Sequence, residues 1–374
     1  IDFSNDTATA STKGSLTISI DRRGGTANKN YGWIGSGGNP KTSVIDRIDF
    51  ANDTATATAK GPLSQARAGS AAVGNINYGY WFGGNVPSYT TRVDRLDFSN
   101  DSSTGVTKSP LTAVRGYGSA VGNQSYGYHC GGSDGNPQSN IERVNYSNDT
   151  ANTSPKAQLS FSQSSAMADF SNSNYGWLAG RSPGPARSIV DRLDFSNDTG
   201  TTPARGPLTE NKSYATGTGN HNYGYACGGE TPSKVSTVER VDYSNDTPTA
   251  SIKGPLSSTR SGGGGVSAND NGIPQYRFTI STPFAFGENS RIVDNYFQSH
   301  GYVAGGPGNA PAPSKHTHVD RVDFSNDMVQ SSIRSPLPEG TNGMGAVSSQ
   351  THAYLFGGGY SPTVSYISRI DYSN

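Results

Sequence analysis

Short stretches of four to five residues, rich in small or in aromatic side chains, recur along the whole chain and are separated by Gly, Asn, Asp and Pro. The segment from Arg67 to Leu111 reads as four strands. Gly69-Ser70-Ala71-Ala72-Val73 is a strand of small residues, with Asn75 and Asn77 around a turn. Tyr78-Gly79-Tyr80-Trp81-Phe82 is an aromatic strand closed by Gly83-Gly84. After a polar loop, Thr91 to Phe98 forms a third strand, and Ser99-Asn100-Asp101 turns the chain. Ser103 to Thr107 forms a fourth before Pro110-Leu111. Short runs of this kind, joined by Gly, Asn and Pro, predict strands rather than long helices.

The same grammar repeats. An apolar residue, Asp, an aromatic and then Ser-Asn-Asp, as in Ile1 to Asp6, returns with variations at Ile48, Leu96, Val144, Leu193, Val241, Val322 and Ile370. Successive starts lie 47 to 49 residues apart except for one interval of 81, so one period carries about 33 extra residues. Four short strands per period of this length predict an all-β chain, a seven-bladed β-propeller occupying 1–374 as a single domain. Small residues suit the crowded innermost strand, and the wider outer part accommodates Tyr, Trp and Phe. The Gly-Gly pairs (Gly37-Gly38, Gly83-Gly84, Gly131-Gly132, Gly228-Gly229, Gly305-Gly306) suit positive φ where the chain leaves the second strand. The chain begins late in a repeat and stops after a third strand. Residues near Asp6 to Thr12 are therefore expected to form the outermost strand beside 365–372, so that the ring is closed by its own termini and has no open edge. A start at Ile1 rather than Met reads as a processed product or an excerpt.

The order small-residue strand, aromatic strand ending in Gly-Gly, and third strand with an Asp-aromatic pair resembles the kelch-type β-propeller over essentially the whole chain. The wording Asp-Phe/Tyr-Ser-Asn-Asp-Thr with Lys60-Gly61-Pro62-Leu63 and Lys253-Gly254-Pro255-Leu256 further resembles repeat proteins of marine bacteriophages, cyanophages especially. The three Trp (Trp33, Trp81, Trp177) all stand in second strands, unlike the late-repeat Trp of kelch proteins. What the resemblance implies is a kelch-like propeller in a virion or at a cell surface.

Composition narrows the function classes. Only 32% of residues are hydrophobic, yet 20 Tyr and 13 Phe supply packing groups, and the net charge is +0, so a folded Gly-rich β protein fits better than disorder. Balanced charge argues against a nucleic-acid partner. No apolar run reaches the length of a membrane span. Cys130 and Cys227 hold the same repeat position in non-neighbouring blades and are expected to be buried free thiols. The six His (His129, His221, His300, His316, His318, His352) do not converge; His316 and His318 could share one strand face but lack a third ligand. Asp94-Arg95 with Asp97 recurs as Asp46-Arg47, Asp191-Arg192 and Asp320-Arg321, with Glu142 and Glu239 in place of Asp elsewhere. Copies in every blade imply scaffold, with inter-blade ion pairs from Arg95 and Asp97, rather than acid/base catalysis. The Asp-rich turns carry oxygen ligands for Ca²⁺ but no EF-hand spacing. Asn5, Asn52, Asn100, Asn148, Asn197 and Asn245 are formal N-glycosylation acceptors, a pattern the turn chemistry already explains. The chain is accordingly expected to have no catalytic residues, no metal site and no cofactor.

Individuality lies in the sixth repeat, where 271–298 interrupts the link between first and second strands as a hairpin-like insertion. Its expected partner-binding residues are Tyr276, Arg277, Phe278, Phe284, Phe286, Tyr296 and Phe297, the competing reading being a plug packed on the ring. The leading expectation is a non-enzymatic virion structural or adhesion protein: a phage tail-fibre, tail-tip or capsid-attached propeller that recognises other virion or surface proteins or a host glycan. The alternative is a secreted lectin or carbohydrate-active enzyme using the propeller mouth.

Overall fold

The computed structural model describes residues 12–19, 21–28, 30–38, 40–163, 167–180, 187–220, 222–262, 264–266, 300–304, 319–324, 328, 330–333, 337, 345–348, 352–356 and 366–371. The fold is all-β, and its principal pairings are antiparallel. Two sheets give the pattern: Gly24–Ala27, Tyr31–Gly35, Ile45–Asp49 and Thr58–Ala59, then Ala71–Gly74, Tyr78–Phe82, Val93–Asp97 and Val106–Thr107. A third runs Ser119–Gly122, Tyr126–Cys130, Gln138–Asn145, Ser154–Gln163. The fourth has Ala168–Ser171, Tyr175–Ala179 and Val190–Asp194; its last element shrinks to a bridge between Asp191 and Ala204. Nearby, Gly200–Thr201 pairs parallel with the long Ser154–Gln163 strand of the third sheet. The fifth and sixth are Thr216–Gly219, Tyr223–Cys227, Val238–Asp242, Ser251–Lys253, and Gly264–Val266, His300–Ala304, Val319–Asp323, Ser332–Ile333. In the last, Gly345–Ser348, His352–Phe356 and Tyr366–Asp371 are joined by Thr12–Ser15 from the other end of the chain. That fourth strand lies just after the stretch expected from the sequence; 6–11 fall outside the described residues.

First strands touch in series: Gly24–Ala27 meets Ala71–Gly74, each successive first strand meets the next, and Gly345–Ser348 meets Gly24–Ala27. Small residues are needed there. A Cβ on Gly217 would stand 2.2 Å from the Asp169 carbonyl oxygen of the neighbouring first strand, nearer than van der Waals contact allows.

Local turns follow the sequence. Asn75 Oδ1 accepts the amides of Asn77 and Tyr78, both at 2.9 Å, and Asn28, Asn123, Asn172 and Asn220 do the same in their repeats. Gly83 and Gly84 take φ of 56° and 115°. In the first sheet the strand register places the corresponding bend at Ser36 (φ 67°) and Gly37 (φ 148°), one residue before the expected Gly37-Gly38 pair.

The core lies between sheets. In the first six sheets the second strand buries its last four residues, and Trp33, Trp81 and Trp177 are wholly enclosed. Among the described residues the aromatic of each signature stacks on the second strand of the preceding sheet: Phe98 on Trp33 (3.8 Å between ring centroids), Tyr146 on Tyr80 (5.0 Å), Phe195 on Tyr128 (5.2 Å), Tyr243 on Trp177 (3.9 Å), Phe324 on Tyr225 (4.4 Å) and Phe50 on Tyr354 (4.4 Å). Such rings bury large areas and gain further from offset stacking.

Candidate functional site

Two sets of charged residues recur, and each has a separate structural task. The first is a clasp between sheets. In the Ser-Asn-Asp turn the Asn is exposed and the Asp is buried, as at Asn100 and Asp101, Asn148 and Asp149, Asn197 and Asp198, and Asn245 and Asp246. Each such Asp reaches back to the preceding sheet. Asp101 accepts from Trp33 Nε1 at 2.9 Å and Arg47 Nη1 at 2.9 Å, with Lys60 at 3.3 Å. Asp149 accepts from the Tyr80 hydroxyl at 2.9 Å and Arg95 at 2.7 Å, with Lys108 at 3.4 Å. Asp198 does so with Tyr128, Arg143 and Lys156, and Asp246 with Trp177, Arg192 and Arg205. The Arg is held from its other side, lying over the half-buried Tyr that opens the second strand, as Arg95 over Tyr78 at 4.5 Å. The expected inter-sheet role of Arg95 thus takes a different partner. Asp97 instead caps its own turn through Ser99 N at 2.9 Å, because two residues along a turning chain suit an Asx-type bond.

These donors occupy the turn carboxylates that otherwise offer oxygen ligands to Ca²⁺. Among the described residues no three His, Cys, Asp or Glu side chains come together as metal ligands.

The second set is an ion pair inside five of the seven sheets. Asp94 on the third strand is wholly buried against Arg67 at 2.8 Å, and Arg67 also reaches Ser70 Oγ (3.1 Å) and the Trp81 carbonyl (3.1 Å). Ser64 closes the far side of the carboxylate with its amide (2.9 Å) and hydroxyl (2.6 Å). Arg23 with Asp46, Arg115 with Glu142, Lys212 with Glu239 and Arg260 with Asp320 repeat the arrangement. Burial pushes the Arg67, Arg115 and Arg260 guanidinium groups down from their ordinary range, while the facing carboxylates hold them up. The sequence reading found the carboxylates of this set and missed their cations. The signal was present as Leu-Ser/Thr-x-x-Arg/Lys: Leu63 to Arg67, Leu111 to Arg115, Leu208 to Lys212 and Leu256 to Arg260.

Neither cysteine thiol is activated. Cys130 and Cys227 are buried free thiols, and burial pushes Cys227 up to about 12. His129 is fully buried, and desolvation followed by the nearby Arg115 drives it well below the ordinary imidazole value. It fills space opposite Gly118 and beside Phe82 (5.9 Å).

One carboxylate breaks the repeat. The second residue of the first strand is Gly25, Ala72, Ala120, Gly217, Gly265 and Ala346 in six sheets and Asp169 in the fourth. Asp169 is half-buried, accepts the Ala120 amide at 3.4 Å across the junction, and burial raises it to about 6. The folded state then holds a proton that the unfolded chain, titrating near 3.9, releases. Asp169 therefore contributes a loss of stability as pH rises from about 4 to about 6, and that loss persists above. Asp169→Asn should raise the urea midpoint at pH 7 more than at pH 4; equal shifts at both pH values would refute the assignment.

The expected partner-binding residues Tyr276, Arg277, Phe278, Phe284, Phe286, Tyr296 and Phe297 lie outside the described residues, as do His316 and His318. The strands flanking the insertion pair directly, Gly264 with Ala304 and Val266 with Tyr302. Among the described residues no helix is long and apolar enough to cross a membrane.

No family model and no curated sequence matches the chain. Among solved structures it is similar to that of YjhT, with a TM-score of 0.57 at 12% identity over 96% of both chains, a likeness of fold alone.

Proposed function

We propose that the chain is a non-enzymatic recognition scaffold: a seven-bladed, kelch-like β-propeller closed by its own terminal strands, serving as a structural or adhesion protein of a virion. The observation that carries this reading is the commitment of the repeated Asp, Glu, Arg and Lys side chains to pairs within and between sheets. Catalysis needs carboxylates or nucleophiles free to meet a substrate, and these are engaged elsewhere. Closure is supported by the contact of Gly345–Ser348 with Gly24–Ala27 and by Thr12–Ser15 alongside Tyr366–Asp371. The virion setting rests on the resemblance of the Asp-aromatic-Ser-Asn-Asp repeats to those of marine bacteriophages. Near-equivalent blades present similar surfaces, so specificity for a virion protein, a surface protein or a host glycan falls to the insertion that occurs once, 271–298.

Deleting 272–297 should leave the far-ultraviolet circular dichroism and melting temperature close to those of the parent and abolish particle incorporation or host attachment. Unchanged attachment would remove the insertion as the recognition element. Turnover of a glycan by the purified chain would overturn the non-enzymatic reading.

A further inference from the structure

Five of the seven sheets carry the buried ion pair; the seventh has Ser368 opposite Leu355 in place of the carboxylate, and the fourth keeps the carboxylate without the cation. In five sheets a cation from the loop before the first strand meets the third-strand carboxylate: Arg23 with Asp46 at 3.2 Å, Arg67 with Asp94 at 2.8 Å, Arg115 with Glu142, Lys212 with Glu239 at 2.6 Å and Arg260 with Asp320 at 2.6 Å. In the fourth sheet the equivalent position is Gln163. Backbone pairing fixes the equivalence: Gln163 pairs with Gln138 as Arg67 does with Thr42, Arg115 with Thr90, Lys212 with Arg187 and Arg260 with Val235. The carboxylate is Asp191, opposite Leu178 as Asp94 is opposite Trp81.

The local bonds are only partly made. Asp191 is 4% exposed and accepts the Ser160 amide at one oxygen, 3.1 Å away. The Ser160 and Thr202 hydroxyls also favour its charged form, yet neither carries a counter-charge, and both amide atoms of Gln163 are buried without a hydrogen-bond partner. A glutamine side chain stops short of where a guanidinium ends and carries no charge, so it replaces neither the reach nor the compensation that Arg67 gives Asp94. A buried carboxylate with no counter-charge is costly, and the unmet amide of Gln163 adds to that cost.

We propose that the place taken by the guanidinium or ammonium group in the five paired sheets is, in the fourth, a binding site for one monovalent alkali cation, Na⁺ or K⁺. Asp191 supplies the negative charge, and Ser160 and Gln163 supply neutral oxygen donors. Hard oxygen donors suit an alkali or alkaline-earth ion. Charge balance selects the monovalent one: a single positive charge restores the neutrality of the other five pairs, whereas a divalent ion leaves a net buried charge.

Thermal unfolding of the full chain at fixed pH and ionic strength in choline, sodium and potassium chloride tests this. The midpoint should rise saturably in sodium or potassium over choline, by about 3 °C at a hundredfold excess over Kd. Gln163→Arg, which supplies the cation covalently, should abolish the response, and Asp191→Asn should do the same. If either variant fails to fold, equilibrium dialysis of the parent chain against rubidium should return one bound ion per chain. Equal midpoints in all three salts would overturn the site. So would an ion response surviving in Gln163→Arg, or stability that rises on acidification in the parent but not in Asp191→Asn, which would make a proton the partner of Asp191.

Discussion

Arg67→Met should destabilise the fold by about 3–5 kcal/mol, the cost of leaving a buried carboxylate without its partner. Both side chains of the Arg67 and Asp94 pair are wholly enclosed. Methionine matches the arginine stem in bulk but donates nothing, so Asp94 loses its cation, and Ser70 and the Trp81 carbonyl lose theirs. Desolvation is the largest influence on Arg67, which says that the pair is expensive to bury even when intact. Arg67→Met combined with Asp94→Leu should therefore recover part of the loss, because no bare charge remains. Recovery stays partial because Ser64 bonds Asp94 through both amide and hydroxyl. Urea midpoints of the two variants decide it: a single-variant loss below about 1 kcal/mol, the level of an exposed pair, would contradict the burial argument.

Trp177→Ala should cost a similar amount, about 3–5 kcal/mol, through a different mechanism, the emptying of a packed junction between sheets. Trp177 is fully buried, stacks on Tyr243 at 3.9 Å and donates its indole N–H to Asp246 at 2.9 Å. Trp177→Phe separates the contributions. It keeps a ring in the stack and removes the donor, and Asp246 retains Arg192 and Arg205. The expected loss is then about 1 kcal/mol, the net value of one hydrogen bond, plus a smaller packing deficit. Comparable losses for the two variants would show that the hydrogen bond rather than the packed ring holds the junction.

The signature shows how far the sequence can be read. Ser-Asn-Asp was legible as a turn, and the turn is there: Asp97 accepts Ser99 N, and the exposed Asn of four repeats accepts from the hydroxyl two residues on. What could not be read was that the final Asp faces a Trp or Tyr about 70 positions earlier. Lys-Gly-Pro-Leu likewise looked like family wording. A Cβ on Gly61 would lie 1.7 Å from the Ser103 carbonyl oxygen of the next repeat, so the glycine is required by an adjacent sheet. Its amide donates to the Asp101 carbonyl at 2.7 Å.

The sequence by itself determined the period, the all-β character, the order of strands within a repeat and the turns joining them. These depend on interactions among near neighbours, whose side-chain directions alternate residue by residue and whose turn bonds span two or three positions. Only the tertiary structure decided which charges meet. Asp94 and Asp97 stand three residues apart in one strand, yet one is buried against Arg67 and the other caps a turn at the surface, because successive faces of the strand meet different surroundings. The same holds for Gln163 and Asp169, each an ordinary polar residue in its own stretch of chain. Each becomes exceptional when the repeats are laid side by side and the other sheets place Arg, Lys, Gly or Ala at the same point.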